Sequence, residues 1–379
     1  MGIGIIGDNI VSSLGFTTDE NVAAVRRGDS GLRYYADAWG VPEPLVASAV
    51  SRERLDEVAG QWGLSKEKYT HFERLAIVSM AEAIREAGVD MKSRRTLFIL
   101  STTKGNVELL ASPENDSFET ERCYLWHTAR LIAGFFGHVN EPVVVSNACI
   151  SGVAALIVAK RWLEMGVYDT AVVVGVDVLS KFIISGFQSF KALSPEPCRP
   201  FDAARCGLNL GEAAATVILQ RCAEQSGKVL LAAGAISNDA NHISGPSRTG
   251  EGLFLALESV LKGTDIGRIG FINAHGTATL YNDEMESIAF DRAGLLQVPV
   301  YSLKAYFGHT LGAAGVLESL ISARALRDGF LPVSRGYVNG GVSRPVRVVT
   351  EVVEQNMEEC IKTVSGFGGC NAAIRLKIE

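Results

Sequence analysis

The strongest constraint on the fold is an alternation of strand-like and helical segments that runs twice along the chain. Runs of β-branched residues such as "TLFILS", "PVVVSN" and "TAVVVGV" are separated by helical patterns such as "HFERLAIVSMAEAIREAG". Strands that are apolar throughout indicate sheets buried between helices. The alternation restarts near Lys228 with "VLLAAGAIS" and "IGFINAHG". The sequence therefore predicts an α/β protein of two similar halves, residues 1–225 and 226–379.

Four local predictions follow from the same patterns. We expect a helix from His309 to Asp328 and a last pair of strands at "RPVRVVTE" and "AAIRLKIE". The prolines and glycine of "LSPEPCRPFDAARCG" predict a long ordered loop. The segment from Val107 to Arg122 is polar and predicts a surface excursion. No low-complexity linker separates the halves, so we expect them to share an interface.

Composition limits the function classes. The 379 residues carry a formal net charge of −6, which argues against nucleic-acid binding because phosphate neutralisation needs a positive excess. Seven irregularly spaced cysteines, none in a CxxC pair, fit neither a disulfide framework nor a zinc site. The first residues lack the features of a signal peptide, and no window approaches the roughly 18 apolar residues of a membrane span. These features predict a cytoplasmic protein without a membrane span.

The segment "GIGIIG" matches the dinucleotide-binding pattern GxGxxG at Gly2, Gly4 and Gly7. That motif works as a turn between a preceding strand and a phosphate-facing helix. Here no strand precedes the glycines, so we predict that the segment binds no nucleotide.

Cys149 is the first candidate for chemistry. It lies in "VVSNACISGVAALIVAKRWLEMG", where a strand pattern gives way to a helical one. The first turn of a helix presents unpaired amides and the positive end of a dipole, which favour a thiolate and can hold an oxyanion. A buried cysteine is more often structural than catalytic, so neighbouring groups must decide between the two alternatives.

Two histidines stand in matching positions. His275 follows a strand pattern in "FINAHGTATLYND", and His309 lies between a strand pattern and a helical one in "SLKAYFGHTLGAAGVLESL". A single histidine at such a position is usually structural. Because open α/β sheets gather their sites at the carboxyl ends of the strands, three reactive side chains there predict one common site.

The motifs "NACISG", "RPFDAARCGLNLGEAAA", "NAHGTATLYNDEMES", "LKAYFGHTLGAAGVLES" and "SGFGGCNAA" carry a family resemblance over nearly the whole chain. Their order and spacing resemble the β-ketoacyl-acyl-carrier-protein synthases of the thiolase-like superfamily, in the elongating Cys-His-His branch. The resemblance implies a five-layered αβαβα sandwich of two βαβαβαββ halves, usually as a homodimer. It also implies a decarboxylative Claisen condensation of an acyl group with malonyl-acyl carrier protein. No metal or cofactor is implied beyond the phosphopantetheine of the carrier protein.

The resemblance also implies roles for individual residues. Cys149 would accept the acyl group, and His275 and His309 would support malonyl decarboxylation. Lys304 resembles the family's lysine with Glu318 as its ionic partner, although a surface pair of little energetic value is the alternative. The amides of Cys149 and Phe367 would form the oxyanion hole.

A second group of residues would bind and admit the substrate. Phe367 and Gly368 resemble the family's gate to the acyl tunnel, and Asp239 and His242 resemble a second loop near the entrance. Thr277 and Thr279 are expected to contact substrate. The acidic carrier protein calls for basic residues at the tunnel mouth, since opposite charges steer docking. The candidates are Arg205, Lys66, Lys68 and Arg74, with ordinary solvated charge as the alternative.

Departures from the family pattern leave the substrate open. Ser365 stands where the gate often has a first phenylalanine, Cys206 where Asp is common, and Ile150 beside the nucleophile where a small or polar residue is usual. A fatty-acid, polyene or polyketide pathway therefore stays possible, as does a heterodimer with a related subunit. A thiolase that uses Cys370 as its base is one rival. A non-catalytic partner similar to chain-length factors is another, although such proteins typically lack the nucleophile.

Overall fold

The computed structural model of the chain describes residues 2–110, 118–222 and 227–378. Its strands are β1 (Gly2–Val11), β2 (Arg33–Tyr35), β3 (Leu45–Ser48), β4 (Thr96–Ser101), β5 (Val143–Val145), β6 (Thr170–Asp177), β7 (Leu210–Gly211), β8 (Ala213–Cys222), β9 (Val229–Asn238), β10 (Ile269–Asn273), β11 (Val300–Tyr301), β12 (Phe330–Leu331), β13 (Val353–Glu354), β14 (Glu359–Gly366) and β15 (Cys370–Ile378).

Helices connect most of these strands. They are α1 (Thr18–Arg27), α2 (Arg52–Gln61), α3 (His71–Ala87), α4 (Leu125–Phe135), α5 (Ser151–Glu164), α6 (Lys181–Ser189), α7 (Glu251–Leu261), α8 (Leu280–Arg292), α9 (Lys304–Phe307) and α10 (Ala314–Asp328). Short 3₁₀ turns cover Val107–Leu110, Thr120–Cys123, Ile266–Arg268 and Leu311–Ala313. Of the helices in these ranges, none is long and apolar enough to cross a bilayer.

The two halves contain sheets of the same design. In the first half the strand order is β5-β4-β6-β8-β1, with β4 parallel to both neighbours and β8 antiparallel to both of its own. In the second half the order β11-β10-β14-β15-β9 repeats this pattern. The sheets join edge to edge where β1 meets β9 at Gly4 and Leu230. The boundary predicted between residues 225 and 226 lies outside the described residues. The division into two units therefore stays a prediction.

Helices separate and cover the two sheets in five layers. On one outer face α3 packs on β1, β6 and β8, and on the other α7 packs on β9 and β15. Between the sheets lie α5 and α10, which contact each other and strands of both sheets. The two central helices meet at Gly152 and Gly315, where a Cβ on Gly152 would lie 2.8 Å from the Cα of Gly315. This is the αβαβα sandwich that the sequence motifs implied.

Most predicted strands and loops lie where the sequence placed them. β4 and β6 are buried along their full lengths, which explains their uninterrupted apolar patterns. The "GIGIIG" glycines lie within β1, so rejecting a nucleotide-binding turn was correct. Residues 193–207 form a loop without helix or strand, as expected. Within the polar excursion predicted from Val107 to Arg122, residues 111–117 lie outside the described residues.

Two local predictions were wrong. The helix expected from His309 begins only at Ala314, because the backbone of His309 is bound elsewhere: its N–H donates to Asn209 O and its O accepts from the Gly211 N–H. The strand expected at residues 344–351 is irregular. Its Val348 makes only an isolated bridge to Val300, and Pro345 has no N–H to give to a ladder. The last strand pair is instead β14 with β15.

Candidate active site

The structure brings Cys149, His275 and His309 together. They follow β5, β10 and β11. β10 and β11 are parallel neighbours in the second sheet, and β5 is parallel to β4 in the first. The Cys149 Sγ and one ring nitrogen of each histidine all lie within 4.8 Å of one another. The two imidazole centroids are 5.1 Å apart and nearly perpendicular. A thiol and two imidazoles at this spacing can share one substrate.

A strained turn aims the Cys149 side chain at this point. Ala148 has a φ of 44°, a left-handed conformation that costs a non-glycine residue about 1–2 kcal/mol. Ser151, the first residue of α5, holds the turn: its hydroxyl accepts from the Asn147 N–H at 2.8 Å and donates to Ala148 O at 2.6 Å. Strain of this kind persists only where surrounding contacts enforce it, and it is concentrated at functional sites.

The thiol itself is protonated in this environment. Burial raises the pKa of Cys149 to about 12, and nearby Cys370 adds to that shift, although Lys304 and the Phe367 amide oppose it. Desolvation of the sulfur thus opposes the helix-start effect that was expected to favour a thiolate. Acylation therefore requires a neighbouring group that takes the thiol proton.

Both imidazoles are neutral. His275 and His309 are 2% and 1% exposed, and burial holds the pKa of each well below its usual value. Lys304 and Lys362 push in the same direction by charge repulsion. Among the described residues, His275 Nδ1 and both ring nitrogens of His309 have no hydrogen-bond partner. Neutral rings with free nitrogens can accept a thiol proton or donate to a substrate oxygen.

Lys304 and Glu318 form a buried ion pair. The Nζ of Lys304 contacts Glu318 Oε1, and the two residues are 0% and 2% exposed. The alternative of a surface pair is therefore wrong. Burial alone would raise the pKa of Glu318, but Lys304 and Lys362 together hold it below the usual value. The carboxylate is charged and binds two lysines.

A second lysine in this cluster was not predicted from the sequence. Lys362 lies in β14, fully buried, with its Nζ 2.7 Å from Glu318 Oε2. Burial lowers its pKa to about 8. The sequence signal was a lysine inside the apolar strand pattern "CIKTV". Because an unpaired charge is rarely buried, a lysine at such a position indicates a buried ionic partner.

Two buried carboxylates that fix the site were also missed. Glu286 accepts from the backbone N–H groups of His275 at 2.8 Å and Gly276 at 2.7 Å. Asp177, at the end of β6, accepts from the Gly312 N–H at 2.7 Å and so anchors the segment after His309. Their signal in the sequence is weak, since acidic residues next to strands and helices are usually exposed.

The chain segments whose amides were predicted to form an oxyanion hole pack closely together. The Phe367 backbone N–H is close enough to the Cys149 sulfur to lower the pKa of the thiol. A Cβ on Gly366, the residue before Phe367, would lie 3.1 Å from the Cys149 backbone N. Gly366 therefore permits the close approach of the two chain segments that carry these amides.

A cavity of about 440 Å³ opens onto the three reactive side chains. Thr277 and Thr279, expected to contact substrate, line it, and so does His242 of the loop expected near the entrance. Phe367 also lines it, 5.8 Å from the Phe187 ring and 5.2 Å from the Phe190 ring by centroids. The position of Phe367 between the thiol and α6 suits a gate.

Asp239 holds loops together at the cavity edge. Its backbone N–H donates to Gly369 O at 2.8 Å, and its carboxylate accepts from the N–H groups of Asn241 and Ser247. The Gly368 N–H donates in turn to Ile243 O at 2.7 Å. The two loops that the sequence identified near the entrance are therefore tied to each other.

Two of the basic residues predicted for docking are in the interior. The Arg205 guanidinium is buried and donates to the backbone oxygens of Asp202, Leu280 and Gly341. The Arg74 side chain is 6% exposed and bound to Asp56. Neither presents its charge to a partner, so these two docking assignments need correction.

Other basic residues do reach the surface. Lys66 and Lys68 are exposed, with Lys66 Nζ 2.5 Å from Asp56 Oδ2. Sequence analysis overlooked Lys191, which is exposed, lines the catalytic cavity and follows directly after Phe190. A cation at this mouth can meet an anionic group on an incoming substrate.

The residues that depart from the family pattern occupy different settings. Ser365 lines the cavity and donates to Asn371 Oδ1 at 2.7 Å, so the place of a first gate phenylalanine is taken by a small polar group. Cys206 is exposed and also lines the cavity. Ile150 is fully buried and points to the core. Two of the three therefore change the cavity wall.

Comparisons with known proteins point to one family. The family model for the N-terminal domain of beta-ketoacyl synthases matches residues 2–225, and the model for the C-terminal domain matches residues 229–337. The 3-oxoacyl-[acyl-carrier-protein] synthase 2 of Rhizobium meliloti is 34% identical over 257 residues, which are 63% of this chain and 60% of that protein. Nodulation protein E of Rhizobium leguminosarum bv. trifolii is 29% identical over 335 residues, 81% of this chain and 82% of that protein.

Solved structures give the same result. The ketosynthase ApeO in complex with its chain length factor ApeC from Xenorhabdus doucetiae matches with a TM-score of 0.87 and 25% identity, over 100% of this chain and 98% of that chain. The ishigamide ketosynthase/chain length factor matches with a TM-score of 0.87 and 26% identity, over 100% and 99%.

Proposed function

Because this chain belongs to the β-ketoacyl synthase family, we propose that it joins an acyl group held on Cys149 to malonyl-acyl carrier protein by decarboxylative condensation. Family membership confirms the resemblance seen in the motifs and the expectation of an acyltransferase-class condensing enzyme. The observation that carries the specific proposal is the placement of one thiol and two neutral imidazoles within 4.8 Å at a cavity.

In the first half-reaction the Cys149 sulfur attacks the acyl thioester of a carrier protein. Since the thiol is protonated, a neutral imidazole takes its proton and passes it to the departing phosphopantetheine thiol. The tetrahedral oxyanion faces the amides of Cys149 and Phe367. The acyl group then remains on Cys149 as a thioester.

In the second half-reaction the malonyl thioester oxygen accepts hydrogen bonds from His275 and His309. The bond to the malonyl carboxylate breaks, carbon dioxide leaves, and the electron pair forms an enolate that these N–H groups stabilise. The enolate carbon attacks the acyl carbonyl on Cys149, and the sulfur leaves and regains a proton. Neutral donors suit this step because an imidazolium would attract the malonyl carboxylate and hold it in place.

We propose acyl carrier protein as the partner that delivers both substrates, through its phosphopantetheine. Lys191 at the cavity mouth, with Lys66 and Lys68, would meet its acidic surface. The cytoplasm, where the Cys149 thiol stays reduced, is the proposed location.

A second ketosynthase-like subunit is proposed at the free edge of β5. The edge strand β5 is half-buried and apolar. It contacts α4, on which Trp126 is 52% exposed, and Tyr124 directly before α4 is 58% exposed. Unpaired strand edges and exposed apolar side chains favour pairing with another chain. Both a homodimer and a heterodimer fit this surface, and two of the similar structures contain a ketosynthase with a chain length factor.

The rival functions are less well supported. A non-catalytic partner subunit would not need the reactive side chains that this chain retains at Cys149, His275 and His309. A thiolase would use Cys370 as a base, but burial raises the pKa of Cys370 to about 11. The Cys370 sulfur instead contacts Phe367 O at 3.2 Å and forms part of the gate loop.

Acyl transfer to Cys149 tests the proposed function. Incubation with acyl carrier proteins of graded acyl length, followed by intact-protein and peptide mass spectrometry, should show one acyl adduct on Cys149. The Cys149→Ala variant should show none. Equal labelling of that variant, or no adduct with any acyl length, would overturn the catalytic assignment.

A further inference from the structure

The buried lysine of β14 binds two groups at once. Lys362 Nζ lies 2.7 Å from Glu318 Oε2 on α10, and Glu318 in turn contacts Lys304, five residues before His309. The same Nζ donates to the backbone oxygens of Asn273 at 3.3 Å and Ala274 at 3.1 Å. These are the two residues directly before His275. One ammonium group thus connects the segments that carry the two histidines.

The next residue of β14 holds His275 from its other side. Thr363 Oγ1 donates to Glu286 Oε1 at 2.9 Å, and Glu286 accepts from the His275 backbone N–H. Lys362 therefore binds the backbone oxygens before His275, and Glu286, itself bonded to Thr363, binds the backbone N–H of His275. Because all of these groups are buried and bonded, small shifts in β14 are passed directly to the His275 ring.

We infer that Lys362 is a positioning residue for the decarboxylation step, holding the peptide in front of His275 and linking it through Glu318 to the His309 segment. This inference rests on the proposed function. The first half-reaction uses the Cys149 turn, the Phe367 amide and one imidazole, which can be His309, and Lys362 contacts none of these three. Loss of carbon dioxide needs the donor N–H of His275 as well. We therefore expect Lys362 to matter more for loss of carbon dioxide than for acyl transfer.

The charge of Lys362 has a second effect on the same step. Burial lowers the pKa of His275 most, and then Lys304, His309 and Lys362 lower it further. The groups that face Lys362 are Glu318 on α10, Lys304 on α9 and Glu286 on α8. Removing the Lys362 charge raises the pKa of both imidazoles. Activity that needs neutral rings is lost as pH falls through that pKa, so its acid limit moves to higher pH.

Two variants test the inference. Lys362→Met removes the charge and the donor while the Lys304–Glu318 pair stays balanced, and Lys362→Gln removes the charge but keeps a donor for Ala274 O. Ile361→Val, a neighbour in the same buried strand, is the control for packing. For each variant we would measure single-turnover acylation of Cys149, release of carbon dioxide from malonyl-carrier protein, and the pH profile of that release.

The expected result is acylation within about threefold of the unsubstituted protein, carbon dioxide release lower by roughly tenfold to a hundredfold in Lys362→Met, and an acid limit at higher pH in both variants. Lys362→Gln should lose less than Lys362→Met. Equal loss in both half-reactions with an unmoved pH profile would overturn the inference, as would unchanged release. If Lys362→Met does not fold, the pH profile of Lys362→Gln decides. Absence of any Cys149 adduct in the unsubstituted protein would instead refute the proposed function.

Discussion

A single methyl group between the two central helices should separate the catalytic side chains. A Cβ on Gly152 would lie 2.8 Å from both the Cα of Gly315 and the N of Val316. Non-bonded carbon atoms prefer about 3.5–4 Å, so α5 and α10 must move apart by about 1 Å. These atoms belong to the backbone and cannot rotate away. Because α5 follows Cys149 and α10 follows His309, the displacement falls on the distance between sulfur and imidazole.

We predict that Gly152→Ala lowers the condensation rate by on the order of a hundredfold, the loss typical of a 1 Å misplacement. The free energy of unfolding should fall by about 1–3 kcal/mol, as for other overpacked interiors. The rate is measured with acyl- and malonyl-carrier protein at saturation, and stability by urea unfolding.

Gly60→Ala is the matched control, because Gly60 is a helical glycine whose added Cβ meets nothing within 4 Å. It should keep full activity and gain up to about 1 kcal/mol, since alanine is the better helix former. If Gly152→Ala condenses and unfolds like the unsubstituted protein, the close contact between the helices does not set the site geometry.

Three further predictions concern the thiol, the gate and the mouth of the cavity. Since burial raises the pKa of Cys149 to about 12, its alkylation by iodoacetamide should accelerate with every pH unit from 7 to 10, and a plateau below pH 9 would contradict this assignment. Phe367→Ala removes the ring that packs on Phe187 and Phe190, so bulky acyl groups should gain on short ones in competition for Cys149; an unchanged ratio would exclude a gating role. Lys191→Glu should raise KM for carrier-protein substrates while acyl transfer from a small pantetheine thioester stays unchanged, and equal effects on both substrates would argue against docking there.

The parts of the fold that the sequence predicted well are those dominated by burial and strand order. β4 and β6 are buried along their whole lengths because helices cover the sheet on both sides. The meeting of Cys149, His275 and His309 followed from a general property of parallel strands, whose carboxyl ends share an edge. These features depend on local pattern and topology, both of which can be read along the chain.

The parts that the sequence missed depend on groups distant along the chain. Lys362 is stable in the interior only because Glu318 and three backbone oxygens surround it. The residues next to Lys362 in the sequence do not predict that Glu318 is its partner. Arg205 was expected at the surface, yet backbone oxygens from three separate segments bind its guanidinium. The helix expected from His309 does not begin there for the same reason, since the His309 backbone N–H and O are hydrogen-bonded to Asn209 and Gly211. The protonation state of Cys149 likewise follows from how deeply the fold buries the sulfur.

The stoichiometry of one turnover shows whether Cys149 and the two histidines carry out the condensation. Protein acylated on Cys149 is mixed with malonyl-carrier protein, and the loss of the adduct, the carbon dioxide released and the β-ketoacyl-carrier protein formed are counted together. We expect one carbon dioxide and one product for each acyl group that leaves Cys149, and none of these in the His309→Ala variant. Product formation by Cys149→Ala, or carbon dioxide release at the full rate without either imidazole, would contradict it.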